Sequence, residues 1–168
     1  PPPPPPAGGW RRWLTRARAG RAQGFRVGTS SFRFVPSEAP LPNTMTMTLI
    51  VPDEPTTQWG AVFTRNAFPG APIKVGRALL EHEALGAVVI NNKISNVCAS
   101  GGGIGDSQAV CDAVAAALSL PRRLGGQILA PEEAAVLPCS TGVIGWKLPV
   151  AELIEAAPSA AAALQSES

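Results

Sequence analysis

The chain has 168 residues, 45% of them hydrophobic, and a formal net charge of +2. That is enough apolar material to bury one ordinary core in a single domain, which excludes disorder throughout. No apolar run approaches the roughly 20 residues of a membrane-spanning helix, so the body is expected to be soluble, without a membrane partner.

Pro1 to Pro6, followed by Ala7-Gly8-Gly9, can form neither helix nor ladder and is expected to be extended polyproline or disordered. The positive charge is concentrated at the front, where Arg11, Arg12, Arg16, Arg18, Arg21 and Arg26 all precede the first acid, Glu38. Together with Trp10, Trp13 and Leu14, this basic, alanine-rich stretch has the pattern of an organelle transit peptide. A nucleic-acid-binding arm is the competing reading. Targeting is preferred, with no nucleic-acid partner, because the rest of the chain lacks the basic patches that phosphate contacts require. Residues 1–23 are therefore set apart as a leader, and the folded part is expected from Gly24.

Thr44 to Val51 alternates threonine with methionine and leucine, the period of a half-buried strand ended by Pro52. Ala61-Val62-Phe63-Thr64 and Pro72-Ile73-Lys74-Val75 read as short strands around the Asn66–Gly70 turn. Arg77 to Glu83 reads as a short, partly exposed helix, and Gly86 to Ile90 as a strand covered on both faces. Asp106 is placed as the cap of a helix that carries Ala109, Val110, Ala113, Val114, Ala117 and Leu118 on one face and stops at Pro121. After Pro131, a short turn through Glu132 and Glu133 feeds a strand at Ala134-Ala135-Val136-Leu137. Pro149 fits the first turn of a last helix, Val150 to Ala157, with Leu153 and Ile154 inward. Ala160 to Ser168 then reads as a fraying helix.

Cys98, Cys111 and Cys139 are odd in number and widely spaced, giving neither a disulfide framework nor a zinc site. Each is expected to be a small buried apolar residue in a reducing compartment. His82 is the single histidine, so no histidine-based triad or His-rich metal cluster can be assembled within the chain.

Two loops carry candidate chemistry. Asn91 to Gly103 follows a strand and precedes a helix, and is dense in side-chain amides and glycine, as a loop that cradles an anion or lines an active site would be. Gly101-Gly102-Gly103-Ile104-Gly105 is not a dinucleotide fingerprint, because the G-x-G-x-x-G spacing fails at Asp106 and the glycines lie far from the strand end. Ser140-Thr141-Gly142-Val143-Ile144-Gly145 offers a threonine hydroxyl beside a glycine N–H, which together can aim at one oxygen as an oxyanion hole. The plain alternative is a turn, for which these residue types are equally suited.

With both loops in view, the chain resembles the ornithine acetyltransferase family, also called glutamate N-acetyltransferase, from about Gly24 to Pro158. The resemblance is carried by Gly-Phe-Arg-Val-Gly at 24–28, Ala61 to Asn66, Pro72 to Val75, the Asn-rich loop with Asn96 and Cys98, and Ser140 to Gly145 followed by Leu148-Pro149. It implies an α/β (α+β) sandwich of mixed short strands with flanking helices, of which residues 24–168 form a partial first-chain domain. It also implies a precursor that cuts itself before an internal threonine, whose hydroxyl carries acetyl from N-acetylornithine to glutamate. Acceptance of acetyl-CoA as a further donor stays open. Thr141 and Gly142 map onto the family's oxyanion pair, and no metal or organic cofactor is implied.

The nucleophilic threonine and the family's substrate-binding lysine would lie beyond Ser168, so this chain alone is expected to be inactive and to need the second chain, in a heterotetramer of first and second chains. Its open sheet edges are expected to make it aggregate when isolated. Asn92 and Lys93 depart from the family's Ser-Gly-Asn-Ala-Asn version of this loop and are given no role. The leader implies the mitochondrial matrix, with the plastid stroma as alternative. A non-catalytic metabolite-binding module remains the rival function.

Overall fold

Alternating side chains place Met45, Met47, Leu49 and Val51 on one side of a strand and Thr44, Thr46 and Thr48 on the other, and the computed structural model buries the first set at 2% exposure or less. It describes residues 24–118, 122–124, 127–129 and 134–165. The polyproline and arginine-rich leader, the helix stop at Pro121, the turn from Pro131 to Glu133 and the tail from Ser166 lie outside the described residues.

The elements in chain order are β1 (Phe25–Phe34), β2 (Asn43–Pro52), α1 (Ala71–Ala78), a 3₁₀ turn (Leu79–Glu81), β3 (Ala84–Asn91), α2 (Gly103–Ala117), β4 (Arg122–Leu124), β5 (Gln127–Leu129), β6 (Ala134–Ser140) and α3 (Val150–Ala162). Four strands make one mixed sheet in the order β1-β2-β3-β6, and among the described residues β4 and β5 form a separate two-stranded sheet. β1 and β2 are antiparallel along their whole length, from Phe25 opposite Pro52 to Phe34 opposite Asn43. β3 runs antiparallel to β2, with Met47 opposite Asn91, and parallel to β6, with Asn91 opposite Ser140. The fold is thus α+β, as the resemblance implies.

The buried side of the sheet carries the core. Met45, Met47 and Leu49 of β2, Val89 of β3 and Val136 of β6 pack with Val110, Val114 and Leu118 from α2 and its end, and with Leu153, Ala157 and Ala160 of α3. α3 lies close over β1 at Gly28, where any Cβ would overlap the Ala160 carbonyl. Its end is tied down by the Gln165 N–H, which donates to the Val27 carbonyl at 3.2 Å.

Several sequence expectations are corrected. Pro72 to Val75 is not a strand but the start of α1, in which proline sits in the first turn where its missing N–H costs nothing. Ala71 and Val75, one helical turn apart, are both buried. Ala61 to Thr64 forms no strand. Local side-chain bonds take the place of a ladder there: the Asn66 N–H donates to Thr64 Oγ1 at 3.2 Å, the Phe68 N–H donates to Asn66 Oδ1 at 3.0 Å, and the Arg77 guanidinium reaches the Thr64 carbonyl.

α2 begins at Gly103, so Asp106 lies in its first turn and not at the cap; there its charge still suits the positive end of the helix dipole. The buried stripe of α2 runs through Ser107, Val110, Cys111 and Val114, with the expected Ala109, Ala113 and Ala117 only half-buried. α3 continues past Ala157 to Ala162 and contains Pro158. Leu153 is fully buried as expected, whereas Ile154 is 40% exposed. Pro158 is exposed too, so water can reach the carbonyl that the proline leaves without a donor.

Candidate functional site

Because β3 and β6 are parallel, they finish side by side, and the two loops singled out in the sequence leave from adjacent points. They do not diverge. The Thr141 N–H donates to the Asn91 carbonyl at 3.0 Å and the Val143 N–H to the Lys93 carbonyl at 2.8 Å. Ser95 N–H then donates to the Val143 carbonyl at 3.0 Å and Gly145 N–H to the Val97 carbonyl at 2.8 Å. Parallel pairing is in effect continued beyond the strand ends, with a bridge between Ile94 and Val143.

Gly142 sits between the two bonded amides at φ 136°, a backbone region that L side chains rarely adopt, and a Cβ there would overlap the Lys93 carbonyl. Only glycine fits. The N–H groups of Thr141 and Val143 are turned toward the 91–93 segment, and the Gly142 N–H lies between them in the chain. Neither that N–H nor the Thr141 hydroxyl has a hydrogen-bond partner among the described residues, and both residues are exposed. The neighbouring serines are occupied: Ser140 Oγ donates to Asn91 Oδ1 at 2.7 Å, and Ser95 Oγ to the Val143 carbonyl at 2.9 Å.

The residues left without a role in the sequence reading turn out to be the frame of this loop. The Lys93 carbonyl is the surface against which Gly142 rests, and Lys93 takes a left-handed φ of 73° to present it. Asn92 extends the β2–β3 pairing, since its Oδ1 accepts the Thr46 N–H at 2.9 Å. Asn91 is buried and bonded to both loops. Its position at the end of an otherwise apolar strand, Ala87-Val88-Val89-Ile90-Asn91, is the signal that could have marked it: an amide where the pattern calls for an apolar residue must be bonded to something specific.

The Gly-rich segment enters α2 from an irregular loop and not from a strand. Asn96, 2% exposed, holds that entry by donating from Nδ2 to the Gly103 carbonyl at 2.9 Å and to Ser107 Oγ at 3.0 Å. Beside the Ser140 end of the site lies an open, mainly apolar cleft of about 440 Å³ whose lining includes Val62, Phe63, Ile73, Val97, Leu137 and Ser140.

The single histidine stays out of the arrangement. His82 caps the 3₁₀ turn ahead of β3, so it lies at the opposite end of that strand from Asn91, roughly 25 Å away at about 3.3 Å per residue. Cys111 is buried as expected, and burial first, then Asp112 and Cys139, pushes its thiol up to about 12. Cys139 is half-buried, and burial raises its thiol too. Cys98 departs from expectation in being exposed. Among the described residues no cluster of His, Cys, Asp and Glu could hold a metal, and no helix is long and apolar enough to cross a membrane.

Known proteins are similar to this chain in sequence and in overall shape. The model of the ArgJ family matches residues 38–168. An arginine biosynthesis bifunctional protein ArgJ of Nitratidesulfovibrio vulgaris is 38% identical over 143 residues, covering 84% of this chain and 32% of that protein. The mitochondrial counterpart of Uncinocarpus reesii is 33% identical over 147 residues, covering 86% of this chain and 30% of that protein. The chain therefore spans about a third of the length of the curated relatives it matches. In three dimensions it is similar to the ornithine acetyltransferase of Mycobacterium tuberculosis solved in complex with ornithine, with a TM-score of 0.64 and 29% identity over 86% of this chain and 69% of that one. Sequence match and shared architecture lead to one conclusion: the chain belongs to the ArgJ family.

Proposed function

We propose that this chain supplies the oxyanion-binding side of an acetyltransferase that moves acetyl from N-acetylornithine to glutamate in arginine biosynthesis. The observation that carries the reading is the pair of donors left without a partner among the described residues, Thr141 hydroxyl and Gly142 N–H, flanked by the bonded N–H groups of Thr141 and Val143. An incoming hydroxyl oxygen bonds to the acetyl carbon, and the carbonyl oxygen takes up the negative charge between these donors. Collapse releases the ornithine amine, which leaves with the proton taken from the hydroxyl. The neutral glutamate amine then attacks the acetyl ester, and the same two donors serve the second tetrahedral state. Its collapse breaks the ester C–O bond and releases the enzyme hydroxyl, which regains the proton given up by the amine. Pre-aligned donors of this kind are each worth about 10²–10³ in rate.

Within this reading the nucleophile comes from outside residues 24–165. The serine hydroxyls of the two paired loops, Ser95 and Ser140, are tied up in hydrogen bonds, and the family resemblance assigns the attack to the threonine opening a second chain of the same precursor. That second chain, assembled with the first as a heterotetramer, completes the donor and acceptor pockets, with acetyl-CoA as a further candidate donor. The solved relative of Mycobacterium tuberculosis binds ornithine, which supports this substrate class. Residues 1–23 serve as a transit peptide to the mitochondrial matrix, a reading supported by the fungal relatives designated mitochondrial.

The test is acetyl transfer by the complete protein that carries this chain. Turnover of N-acetylornithine with glutamate, together with an acetylated threonine trapped in the absence of glutamate, is expected. A folded, complete protein with no transfer and no acetyl-enzyme would overturn the reading in favour of a metabolite-binding module.

A further inference from the structure

We infer that Asn91 is the positioning residue of this site, a buried amide that locks the two loops together so that the Thr141 hydroxyl and the Gly142 N–H converge on one point. The inference rests on the oxyanion reading above and extends it to a residue that touches no reacting atom.

Asn91 is 6% exposed and lies opposite both Met47 and Ser140, on the core side of the sheet. An apolar residue would be the ordinary occupant there, and a polar one is costly to bury unless its bonds are made. Here they are. Nδ2 donates to the Ile94 carbonyl at 2.8 Å and to the Asn92 carbonyl at 3.2 Å. Both partners can only accept, which fixes the orientation of the amide and leaves Oδ1 for the Ser140 hydroxyl at 2.7 Å. The backbone carbonyl of the same residue receives the Thr141 N–H at 3.0 Å.

One residue thus grips the 92–94 turn through its amide nitrogen and the end of β6 through its amide and backbone oxygens. The turn it grips carries the Lys93 carbonyl against which Gly142 rests. Displacing the turn would displace the glycine, and a misplacement of about 1 Å at such a site can cost about 10²-fold in rate.

The experiment combines kinetics and amide exchange in the complete protein, using Asn91→Ala, Asn91→Leu, Ser140→Ala and Ser140→Thr, each alone and with Thr141→Ala. Asn91→Ala and Asn91→Leu are expected to lower kcat by about 10–10²-fold with KM little changed. Ser140→Ala is expected to do so more weakly, with Ser140→Thr, which keeps the hydroxyl, restoring the rate. In a Thr141→Ala background the Asn91 effect should shrink, because one of the two donors it positions is already gone. Exchange of the Thr141 and Val143 amides should accelerate while the rest of β3 and β6 stays protected.

Full additivity of Asn91→Ala with Thr141→Ala, or unchanged exchange at Thr141 and Val143, would overturn the inference. Should the Asn91 variants fail to fold, the Ser140→Ala and Ser140→Thr pair decides it by the same readouts. A parent protein without transferase activity would count against the proposed function, and the exchange measurement would still decide whether Asn91 holds the loops.

Discussion

The two ends of the β3–β6 pair are held by different physics. At the start, Ala84 and Leu85 lie opposite Ala134 and Ala135, small and apolar, and the register slips between Leu85 and Ala87. At the finish, the register holds without interruption from Val88 opposite Leu137 to Asn91 opposite Ser140, and directional hydrogen bonds carry the pairing on through both loops. Apolar packing decides which elements meet and tolerates a one-residue slip. Hydrogen bonds decide where an individual atom sits, which is what a site for a developing charge needs.

Breaking the hydrogen-bonded end should therefore abolish function, whereas injuring the packed core should cost stability and spare the chemistry of whatever remains folded. The largest effect is expected from Gly142→Ala, which meets both a disfavoured φ and the Lys93 carbonyl. Acetyl transfer by the complete protein should fall by more than about 10²-fold, while Gly60→Ala, with open space around the added methyl, should leave initial rates unchanged.

Leu153→Ala strikes the other kind of contact. The side chain is fully buried between α3 and the sheet, and its truncation should remove about 2–5 kcal/mol of stability in urea unfolding. Activity per folded molecule should be retained. Pro158→Ala runs in the opposite direction: restoring a helical N–H on the exposed side of α3 should add roughly 1–3 kcal/mol, read as a higher denaturation midpoint.

The smallest effect concerns the thiols. A neutral alkylating reagent should modify exposed Cys98 first, half-buried Cys139 later and Cys111 only on unfolding. Since burial raises Cys111 from about 9 to about 12, the folded state holds that proton where the unfolded chain releases it. The contribution of Cys111 is thus fully present below pH 9 and fades as the pH climbs toward 12, and Cys111→Ala should flatten this decline in alkaline unfolding curves.

Much of the architecture was legible because burial imposes a period. The threonine–methionine alternation marked β2, the apolar run marked β3, and Leu153 fell inward as its helical spacing required. Pro72 to Val75 misled because the same four residues fit an edge strand or a proline-led helix, and only packing of Ala71 and Val75 decides between them. Ile154 misled because α3 buries a narrow, alanine-rich stripe beside Gly28, leaving no room for a wider apolar face.

The Thr141–Gly142 loop stood out from residue type alone, since a hydroxyl beside a glycine N–H is what the proposed oxyanion hole requires. Its frame was not. Asn91, Asn92 and Lys93 act through backbone carbonyls and the side-chain amides of the two asparagines, and any residue has a carbonyl, so sequence gives no sign of which one receives the Val143 N–H. That contact exists because two parallel strands end in register, a property of the fold and not of the loop.

The most direct measurement is steady-state transfer from N-acetylornithine to glutamate by the complete protein carrying Thr141→Ala, set beside Thr141→Ser. The account predicts a kcat lower by about 10²-fold or more for alanine and near-parental turnover for serine, which keeps the hydroxyl donor. Parental turnover in the alanine variant would contradict it.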